Sequence, residues 1–432
     1  MTQRYDTYKD SGVQWLGEIP GHWECVRLKN IGNCQNGVSK GGDYFGEGFP
    51  FVSYSDAYKN IVLPTKVQGL AVSTEDDRIA YSVEKGDVLF TRTSETIDEI
   101  GFASTCLETI KDSVFAGFLI RFRPNTCSII PEFYKYYFRS IHLRKFFTKN
   151  INIVTRASLS QQLLGQLKVL IPSIDEQRTI SSYLDAKCGK IDEWVTKKQK
   201  EVEHLQELKQ RVIADAVTRG INPHVKMKTT NIPWLKEIPE HWECIRNKSI
   251  LRLTDEKVGN RNDLTLLSLT KQGVIIRDLS EGKGKFPKDF ETYLVVRPNN
   301  LVFCLFDIDE TPRTVGLVRN YGMLTGAYTN FEVNEEIVLP EYAYCYYLQV
   351  DDVKGLRPYY TGLRKVVKTN TFLQLRIPVP PLSEQKQIVS YLDAKCSKID
   401  KLIANITKEI ECIKEYKQRL ISDVVTGQIK VC

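Results

Sequence analysis

One stretch of sequence occurs twice in this chain, and the repeat constrains the fold more than any other feature. The first copy runs from Asp175 to Arg219 and the second from Ser383 to Gly427, in constant register. Residues 183–192 reappear as residues 391–400 with a single substitution. Such close identity within one chain predicts a protein built from two related halves.

Both copies carry the apolar spacing of a long amphipathic helix. Apolar residues recur in alternating steps of three and four, a pattern typical of helices that pack along a narrow stripe. In the second copy these residues are Ile388, Leu392, Cys396, Ile399, Ile403, Ile406, Ile410, Ile413, Leu420 and Val424, with a break at Lys417. In the first copy they are Ile180, Leu184, Cys188, Ile191, Val195, Val202, Leu205, Val212 and Ala216, with breaks at Lys198 and Lys209. At about 1.5 Å per residue, each helix would be roughly 66 Å long.

Residues that prefer helix ends flank both copies. Asp175 and Ser383 stand at equivalent places and suit the N-cap role, in which a side-chain oxygen accepts from a free helical N–H. Gly220 and Gly427 suit the termination of the two helices. A single helix of this kind could lie on a globular core. Two matching stripes in one chain favour a long helix pair with globular regions at its ends.

Length and composition limit the class of protein. At 432 residues the chain is long enough for two or more domains. The formal net charge of +7 permits an acidic partner such as nucleic acid without requiring one. The sequence shows neither the apolar core of a secretion signal nor an apolar run that could span a bilayer. The 11 scattered cysteines form no Cys-x-x-Cys pair, which predicts free thiols and a cytoplasmic location.

A shorter block also repeats, ahead of each globular region. Residues 15–25, Trp-Leu-Gly-Glu-Ile-Pro-Gly-His-Trp-Glu-Cys, return almost unchanged as residues 234–244. The His, Glu and Cys of each block are metal-ligand types, but no second ligand pair follows them. Trp, Pro and His in a compact turn are more typical of a packed lead-in to a domain, and we prefer that interpretation.

The chain therefore divides into four parts. We predict globular regions at residues 1–171 and 221–379, and long helices at residues 172–220 and 380–432. The globular regions combine short strand patterns, turn glycines and helices that start at proline, without a regular βαβ alternation, which predicts a mixed α/β fold. They share only a skeleton, whereas the helices and lead-ins match nearly letter for letter. Two divergent surfaces on a duplicated scaffold suit the recognition of two different targets.

These features together resemble the specificity subunit of type I restriction-modification systems. Each globular region precedes a Pro-x-x-x-Glu-Gln helix start, at Pro172 and at Pro380. The opening Trp-Leu-Gly-Glu-Ile-Pro-x-His-Trp is similar to that family, as is the segment Gly-Asp-Val-Leu-Phe-Thr-Arg-Thr-Ser at residues 86–94. The resemblance covers essentially the whole chain. It implies two target recognition domains separated by an antiparallel pair of long coiled-coil helices, with an internal pseudo-two-fold repeat.

The resemblance also implies a function. Each domain would read one half of a bipartite site in double-stranded DNA, and the helix pair would set the gap and dock two methyltransferase subunits and the restriction subunits. S-adenosylmethionine, ATP and Mg²⁺ would belong to those partners. The sequence itself contains neither a phosphate-binding Gly-x-x-x-x-Gly-Lys-Ser/Thr loop nor a zinc-binding His pair. We therefore expect no catalytic residue and no metal site, and the acidic segment Asp307–Glu310 is more typical of a solvated loop.

Candidate DNA-binding residues in the first region cluster at two predicted loops. Base readout needs side chains that reach base edges, whereas phosphate contacts need only charge or N–H donors. Arg92, at a predicted strand tip, can bond guanine in a bidentate way. The hydroxyls beside it are those of Thr91, Thr93 and Ser94. The second predicted loop contributes Ser53, Tyr54 and Ser55. A solvated surface loop is the competing interpretation for both.

The remaining candidates are basic residues. Arg156 and Arg364 occupy matching places ahead of the long helices, so a phosphate contact or a structural role suits them better than base readout. In the second region the predicted phosphate contacts are Lys283, Lys285 and Lys288. Arg313 is a further readout candidate. A charge run of this kind is more often only solvated.

A different class of protein also fits part of the sequence. A coiled-coil adaptor that joins two proteins without reading DNA would carry the same helices, and the mild net charge suits it equally. A self-contained nuclease is disfavoured, because no acidic metal site is evident. A steep salt dependence of duplex binding would separate DNA recognition from the adaptor role.

Overall fold

A computed structural model of the chain describes residues 3–151, 157–261, 263–277 and 290–431. The chain forms two compact units. Unit 1 spans Met1–Lys198 and Lys408–Cys432, and unit 2 spans Gln199–Thr407. Each unit combines sheets with helices, so the predicted mixed α/β fold is confirmed. The units divide both long helices within their length, whereas the sequence placed the divisions at the helix ends.

A four-stranded antiparallel sheet forms the centre of unit 1. Its strand order is Gly32–Asn36, Leu119–Pro124, Val88–Thr91, Ala103–Thr105. The third of these strands is buried on both faces. Phe90 packs in the larger core with the aromatic helix residues, and Leu89 belongs to a second cluster with Phe115. A strand covered on both sides needs a continuous apolar run, which is why the sequence predicts it so clearly.

The other elements of unit 1 are short. Its remaining strands are Tyr8–Asp10, Glu18–Pro20, Glu24–Arg27, Phe45–Val52, Leu70–Ala71, Thr93–Ser94, Val114–Phe115, Ala157–Ser158 and Lys168–Ile171. Its α-helices, apart from the long ones, are Tyr54–Lys59, Glu75–Ala80, Pro131–Tyr137, Ile141–Asn150 and Gln161–Gln166. Its 3-10 helices are Leu28–Asn30, Gly42–Tyr44 and Ile97–Glu99.

Unit 2 repeats the central sheet of unit 1. Its strand order is Leu251–Thr254, Thr329–Val333, Leu301–Phe303, Val315–Leu317, again antiparallel throughout. In both units the first strand in the chain pairs with the last, and the second lies inside. The predicted shared skeleton is therefore confirmed at the level of strand topology.

The other elements of unit 2 differ more from those of unit 1. Its remaining strands are Met227–Ile232, Leu235–Pro239, Glu243–Arg246, Leu267–Thr270, Gly273–Ile276, Leu294–Val296, Gly322–Leu324 and Arg376–Val379. Its helices, apart from the long ones, are Asn247–Ile250, Pro340–Asp352 and Thr369–Gln374, with a 3-10 helix at Arg357–Tyr359.

Both predicted long helices are present. The first long helix is Ile174–Arg219 and the second long helix is Leu382–Val425. Gly220 and Gly427 follow them with φ values of +75° and +74°, the left-handed conformation that ends a helix at low cost for glycine. No helix in the described part of the chain is apolar enough over 18 residues to span a membrane.

The predicted N-cap positions are wrong. Ser173 caps the first long helix, because its Oγ accepts from the backbone N–H of Glu176 at 3.3 Å. The Glu176 carboxylate in turn accepts from the backbone N–H of Ser173, which completes a capping box. Asp175 and Ser383 lie inside the first turns of their helices. The Ser-x-x-Glu spacing of residues 173–176 was the signal that should have located the cap.

Segments of both long helices pack antiparallel within each unit. In unit 1, Trp23 lies against Glu176, near the start of the first long helix, and against Gly427, beyond the end of the second. Farther along, Lys417 donates to both oxygens of Asp192 at 2.7 Å. In unit 2, Lys209 forms the equivalent pair with Asp400 at 2.7 and 2.8 Å.

These two lysines are among the three that interrupt the apolar stripes, the third being Lys198. The side chain of Lys417 is only 17% exposed, so its charge is held against Asp192 at the helix contact. A charged residue inside an apolar seam favours the one register in which it meets its partner. We infer that Lys209 and Lys417 set the alignment of the helices within their units.

The repeated lead-in blocks pack onto the starts of the long helices. Trp23 is fully buried, and its Nε1 donates to Glu176 at 3.3 Å, while His22 Nε2 lies 2.9 Å from the same carboxylate. Unit 2 repeats the arrangement with Trp242, His241 and Glu384, at 3.2 and 2.7 Å. The packed lead-in interpretation is therefore confirmed.

The glutamine that follows each of these glutamates ties the helix to its globular region. Gln177 is fully buried, and its Oε1 accepts from Ile130 N at 2.9 Å. Its Nε2 donates to the carbonyls of Ser128 and Pro172 at 2.8 and 2.9 Å. In unit 2, Gln385 makes the same three bonds with Leu339, Ile337 and Pro380. The shared Glu-Gln pair thus has a structural explanation in each unit.

Candidate nucleic-acid interface

Two segments that the sequence singles out separately lie side by side in unit 1. The Tyr54 hydroxyl donates to the backbone carbonyl of Thr93 at 3.0 Å. A cleft of about 380 Å³ opens between them, lined by Tyr54, Thr93, Ser94, Glu95, Glu99 and Phe118. The predicted strand tip and the predicted second loop therefore form one surface.

Residues 53–55 form a helix start, so the predicted loop is wrong. Ser53 caps the helix Tyr54–Lys59, because its Oγ accepts from Asp56 N at 3.3 Å and the Asp56 carboxylate accepts from Ser53 N at 2.8 Å. This capping box holds Tyr54 at the edge of the cleft. Ser55 is exposed in the first turn. Burial raises the pKa of the Tyr54 phenol, which therefore stays a hydrogen-bond donor at neutral pH.

The hydroxyls beside Arg92 differ in their surroundings. Thr91 is fully buried, and its Oγ1 donates to Glu99 O at 3.1 Å and accepts from Phe102 N at 2.8 Å. Ser94 is also buried, and its Oγ donates to the Glu99 carboxylate at 3.2 Å. Both residues shape the tip from within. Thr93 is half-buried at the cleft, and DNA contact by any of them stays a prediction.

Arg92 lies half-buried at the tip, and its side chain binds the protein backbone. Its Nη1 donates to Gly117 O at 3.3 Å, and its backbone N–H donates to Phe118 O at 2.9 Å. Phe118 is 63% exposed and Glu95 is exposed. Neither residue is among the sequence-based candidates. Phe118 immediately precedes a strand whose apolar residues are core, so the sequence gives no reason to expect it to be exposed. Glu95 directly follows the predicted tip, so its position was the available signal.

One backbone hydrogen bond at the strand tip occurs in both units and identifies the tip of unit 2 that is equivalent to that of unit 1. In unit 1, Leu159 N donates to Arg92 O at 2.8 Å, and in unit 2, Val367 N donates to Leu305 O at 2.8 Å. Leu305 therefore occupies the place of Arg92. Arg92 is the first residue after the strand Val88–Thr91, and Leu305 is the second residue after the strand Leu301–Phe303. The residues that follow it are Phe306 and Asp307. The two tips share a backbone frame and present different chemistry.

The predicted arginines of unit 2 are held by carboxylates of the same unit. Arg364 Nη2 donates to Asp307 Oδ2 at 2.8 Å, and the guanidinium lies 5.2 Å from the centre of the Phe306 ring. Arg313 lies 3.5 Å from Asp351 and 3.4 Å from Asp352. These contacts give both arginines a role within unit 2, and DNA contact by either stays a prediction.

The acidic segment Asp307–Glu310 is matched by neighbouring cations. Asp309 lies 3.0 Å from Arg357 and 3.2 Å from Lys365. The hydrogen bond from Arg357 holds the pKa of Asp309 below its ordinary value. Among the residues that the structure describes, no group of three or more His, Cys, Asp or Glu side chains is placed to hold a metal ion.

Four of the predicted basic residues lie outside the described part of the chain. These are Arg156, Lys283, Lys285 and Lys288. Their proposed phosphate contacts therefore stay predictions, and the surface that the structure brings together is the one around Tyr54, Arg92 and Phe118.

Comparison with known proteins identifies similar sequences in Methanocaldococcus jannaschii. The chain is 25% identical over 443 aligned positions to a Methanocaldococcus jannaschii protein assigned as the MjaX type I restriction enzyme specificity subunit, covering 96% of each chain. It is 23% identical over 310 positions to the MjaVIII specificity subunit of the same organism, covering 68% of this chain and 70% of the relative.

A solved structure and a family model extend the comparison. The fold matches a chain from a structural study of complex assembly and conformational transition of the type I R-M system, with a TM-score of 0.68. That match has 14% identity and covers 95% of this chain and 99% of the other. The sequence model of the type I restriction modification DNA specificity domain matches residues 20–222 and 317–412. The chain therefore belongs to the family of type I restriction-modification specificity subunits.

Proposed function

We propose that units 1 and 2 of this specificity subunit each read one half of a split DNA site. The proposal rests on the two equivalent strand tips. Each follows the same strand of a sheet with the same topology, but the two tips carry different side chains. The tip of unit 1 carries Arg92 and Glu95, whereas in unit 2 Leu305 is buried and the half-buried Phe306 and Asp307 follow it. An adaptor for two proteins would not explain the match to DNA specificity domains, so we do not favour it.

The tip of unit 1 offers both a hydrogen-bond donor and an acceptor, and base edges carry groups that pair with each. A guanidinium such as that of Arg92 can donate two bonds to guanine O6 and N7 in the major groove. A carboxylate such as that of Glu95 accepts from the cytosine amino group. Glu95 lines the cleft, and Arg92 directly precedes the cleft residues Thr93 and Ser94, so one base pair or two neighbouring pairs could satisfy both side chains. We infer that the half-site of unit 1 contains at least one G·C pair.

A methylation map tests the proposed function directly. The chain would be expressed with its methyltransferase subunit in a host without other adenine methylation, and methylated adenines would be mapped across the genome. We expect one split motif with two unlike halves and a constant gap. Methylation that is absent, or that is unchanged when this chain is omitted, would contradict the proposal.

Replacing Arg92 by alanine should relax discrimination at one position of one half-site. The loss of a bidentate contact is worth roughly 1–3 kcal/mol, or about fivefold to 150-fold in relative methylation of the wrong base. Arg92→Lys keeps the charge without the bidentate geometry and should relax the same position. Arg178→Ala, on an exposed arginine of the first long helix, should leave the motif unchanged. An unaltered motif in both Arg92 variants would remove this residue from base readout.

The repeated helix segment also indicates a partner that binds in two copies, one on each segment. Packing requires identity only at buried positions such as Leu184 and Leu392. Four exposed residues are identical as well: Asp185, Ala186, Lys187 and Lys190 are matched by Asp393, Ala394, Lys395 and Lys398. The exposed Gly189 is replaced by Ser397, and Asp185 also accepts from Lys135 within unit 1. Lys187 and Lys395 even keep the same contact with a tyrosine ring, at 5.8 and 5.7 Å. We propose that these two faces each dock one methyltransferase subunit.

Charge reversal on these faces should remove the methyltransferase subunits one at a time. We expect Lys187→Glu or Lys395→Glu to leave one copy in the complex, and the double variant to leave none, as measured by native mass spectrometry. Lys197→Glu is the matched control, because this exposed lysine of the first long helix lies outside the identical segment. Two copies bound to the double variant would place the docking surface elsewhere.

The remaining activities of the complex belong, in this proposal, to its partners. Methyl transfer from S-adenosylmethionine, ATP hydrolysis with Mg²⁺ and cleavage would be carried out by the methyltransferase and restriction subunits, and this chain would be non-catalytic. The cysteines of the described residues are all free thiols, which suits the reducing cytoplasm where the DNA substrate lies.

A further inference from the structure

We propose that Leu363 recognises thymine in the half-site of unit 2, by apolar contact with the thymine 5-methyl group. The inference rests on the proposed function and adds to it a named residue, a named base and a mode of readout. It starts from one unusual side chain: Leu363 is 103% exposed, the fullest exposure among the large apolar residues of the described chain.

Leu363 sits at the tip of a tight hairpin. Thr361 and Val366 exchange both backbone hydrogen bonds, at 2.9 and 3.0 Å, and Lys365 N donates to Gly362 O at 3.2 Å. Gly362 and Lys365 adopt positive φ values of +70° and +45° to close the turn. The leucine is therefore held at the end of a defined turn, where an apolar side chain gains nothing in the free protein.

Ion pairs hold this hairpin against the strand tip of unit 2. Arg364 is bound to Asp307, and Asp307 N donates to Arg364 O at 2.9 Å. Lys365 lies 2.8 Å from Glu310. The charged side chains that follow Leu363 in the hairpin are thus paired with carboxylates of unit 2. The leucine side chain remains exposed and can contact a binding partner. Such bracing lowers the conformational cost of presenting an apolar group to a ligand.

The position of the hairpin follows from the internal repeat. The bond from Val367 N to Leu305 O is the counterpart of the bond from Leu159 N to Arg92 O in unit 1. Leu363 therefore belongs to the surface of unit 2 that corresponds to the proposed reading surface of unit 1. This equivalence is the reason for choosing DNA as the partner of the leucine, rather than an apolar pocket of another protein.

The chemistry of the groove then identifies the base. The thymine 5-methyl group is the apolar feature among the base edges of the major groove, and the other features are hydrogen-bond donors and acceptors. A leucine side chain has neither donor nor acceptor, so it gains free energy at the methyl group and loses it where it covers polar atoms. We infer that the half-site of unit 2 contains a thymine that Leu363 contacts.

Uracil substitution tests this contact, because uracil pairs like thymine and lacks only the methyl group. Once the methylated motif is known, each thymine of the second half-site, on both strands, would be replaced in turn by deoxyuridine. Binding of the complex of this chain with its methyltransferase subunits would be measured for each duplex. We expect one substitution to weaken binding about fourfold, the effect of one buried methyl group.

Variants at position 363 complete the test. Leu363→Ala should bind the thymine and uracil duplexes equally, whereas Leu363→Met should keep most of the difference. Leu253→Ala is the control, since this leucine is also exposed in unit 2 but lies on a strand of the central sheet. Because Leu363 is fully exposed, the substitution should not affect folding.

The outcomes separate this inference from the proposed function. Absence of any split motif would overturn the proposed function itself. A split motif whose second half lacks thymine, or tolerates uracil at every position, would overturn the role of Leu363 alone. If Leu363→Ala lost its methyltransferase subunits and the wild type showed no uracil effect, the leucine would be assigned to a protein contact, which would likewise overturn the inference.

Discussion

Adding one helical turn to both long helices should widen the gap of the recognised site and leave both halves unchanged. Four residues lengthen a helix by about 6 Å, which corresponds to one or two base pairs at about 3.4 Å per pair. We expect methylation at the original spacing to disappear and a motif with one or two additional gap positions to replace it. Genome-wide mapping of methylated adenines measures this change directly, by comparing the gap in the motif of the variant with that of the wild type.

The Lys–Asp pairs of the helices show where the insertions belong. Breaks after Lys200 and after Lys408 lie midway between the paired positions on each helix, so both Lys209–Asp400 and Lys417–Asp192 are kept. An insertion in only one helix is the control, because it forces the two pairs out of alignment and should abolish methylation. An unchanged gap after both insertions would refute the role of the helices as a ruler.

The scaffold was predictable from the sequence because it obeys simple periodic rules. The long helices, their terminal glycines, the proline-started helices and the buried strand before Arg92 all follow from spacing and residue preference. The capping positions were mispredicted, because the repeat was aligned by identity and Ser173 falls outside the identical segment. The partners of the interrupting lysines could not be predicted either. Which carboxylate faces a lysine depends on the register of the two long helices, and the sequence does not give that register.

The candidate site was predictable only in part. Arg92 stands out in sequence because it follows a continuous apolar strand. Tyr54 was found as a loop residue, and its true place depends on the Ser53 capping box and on a contact with Thr93, which lies far along the chain. Leu363 carries no signal in sequence at all. An apolar residue is usually core, and only the folded hairpin shows that this one is exposed.

Replacing Gln177 by leucine should destabilise unit 1 by about 2–4 kcal/mol. Leucine has a similar volume but cannot replace the three hydrogen bonds of the buried amide. The N–H of Ile130 and the carbonyls of Ser128 and Pro172 would lose their partner. Hydrogen exchange of backbone amides, followed by mass spectrometry in increasing urea, resolves the opening of unit 1 from that of unit 2.

The internal repeat supplies the matched experiment. Gln385 is equally buried and makes the same three bonds in unit 2, so Gln385→Leu should transfer the effect to the amides of that unit. Gln177→Glu keeps the acceptor for Ile130 and loses both donors, and should be at least as damaging as leucine because it also buries a charge. If both leucine variants showed the hydrogen exchange of the wild type, the side-chain amides of Gln177 and Gln385 would not be what joins the long helices to the domains. The identity of the two Glu-Gln pairs would then have to come from Glu176 and Glu384, which bind the tryptophans of the lead-in blocks.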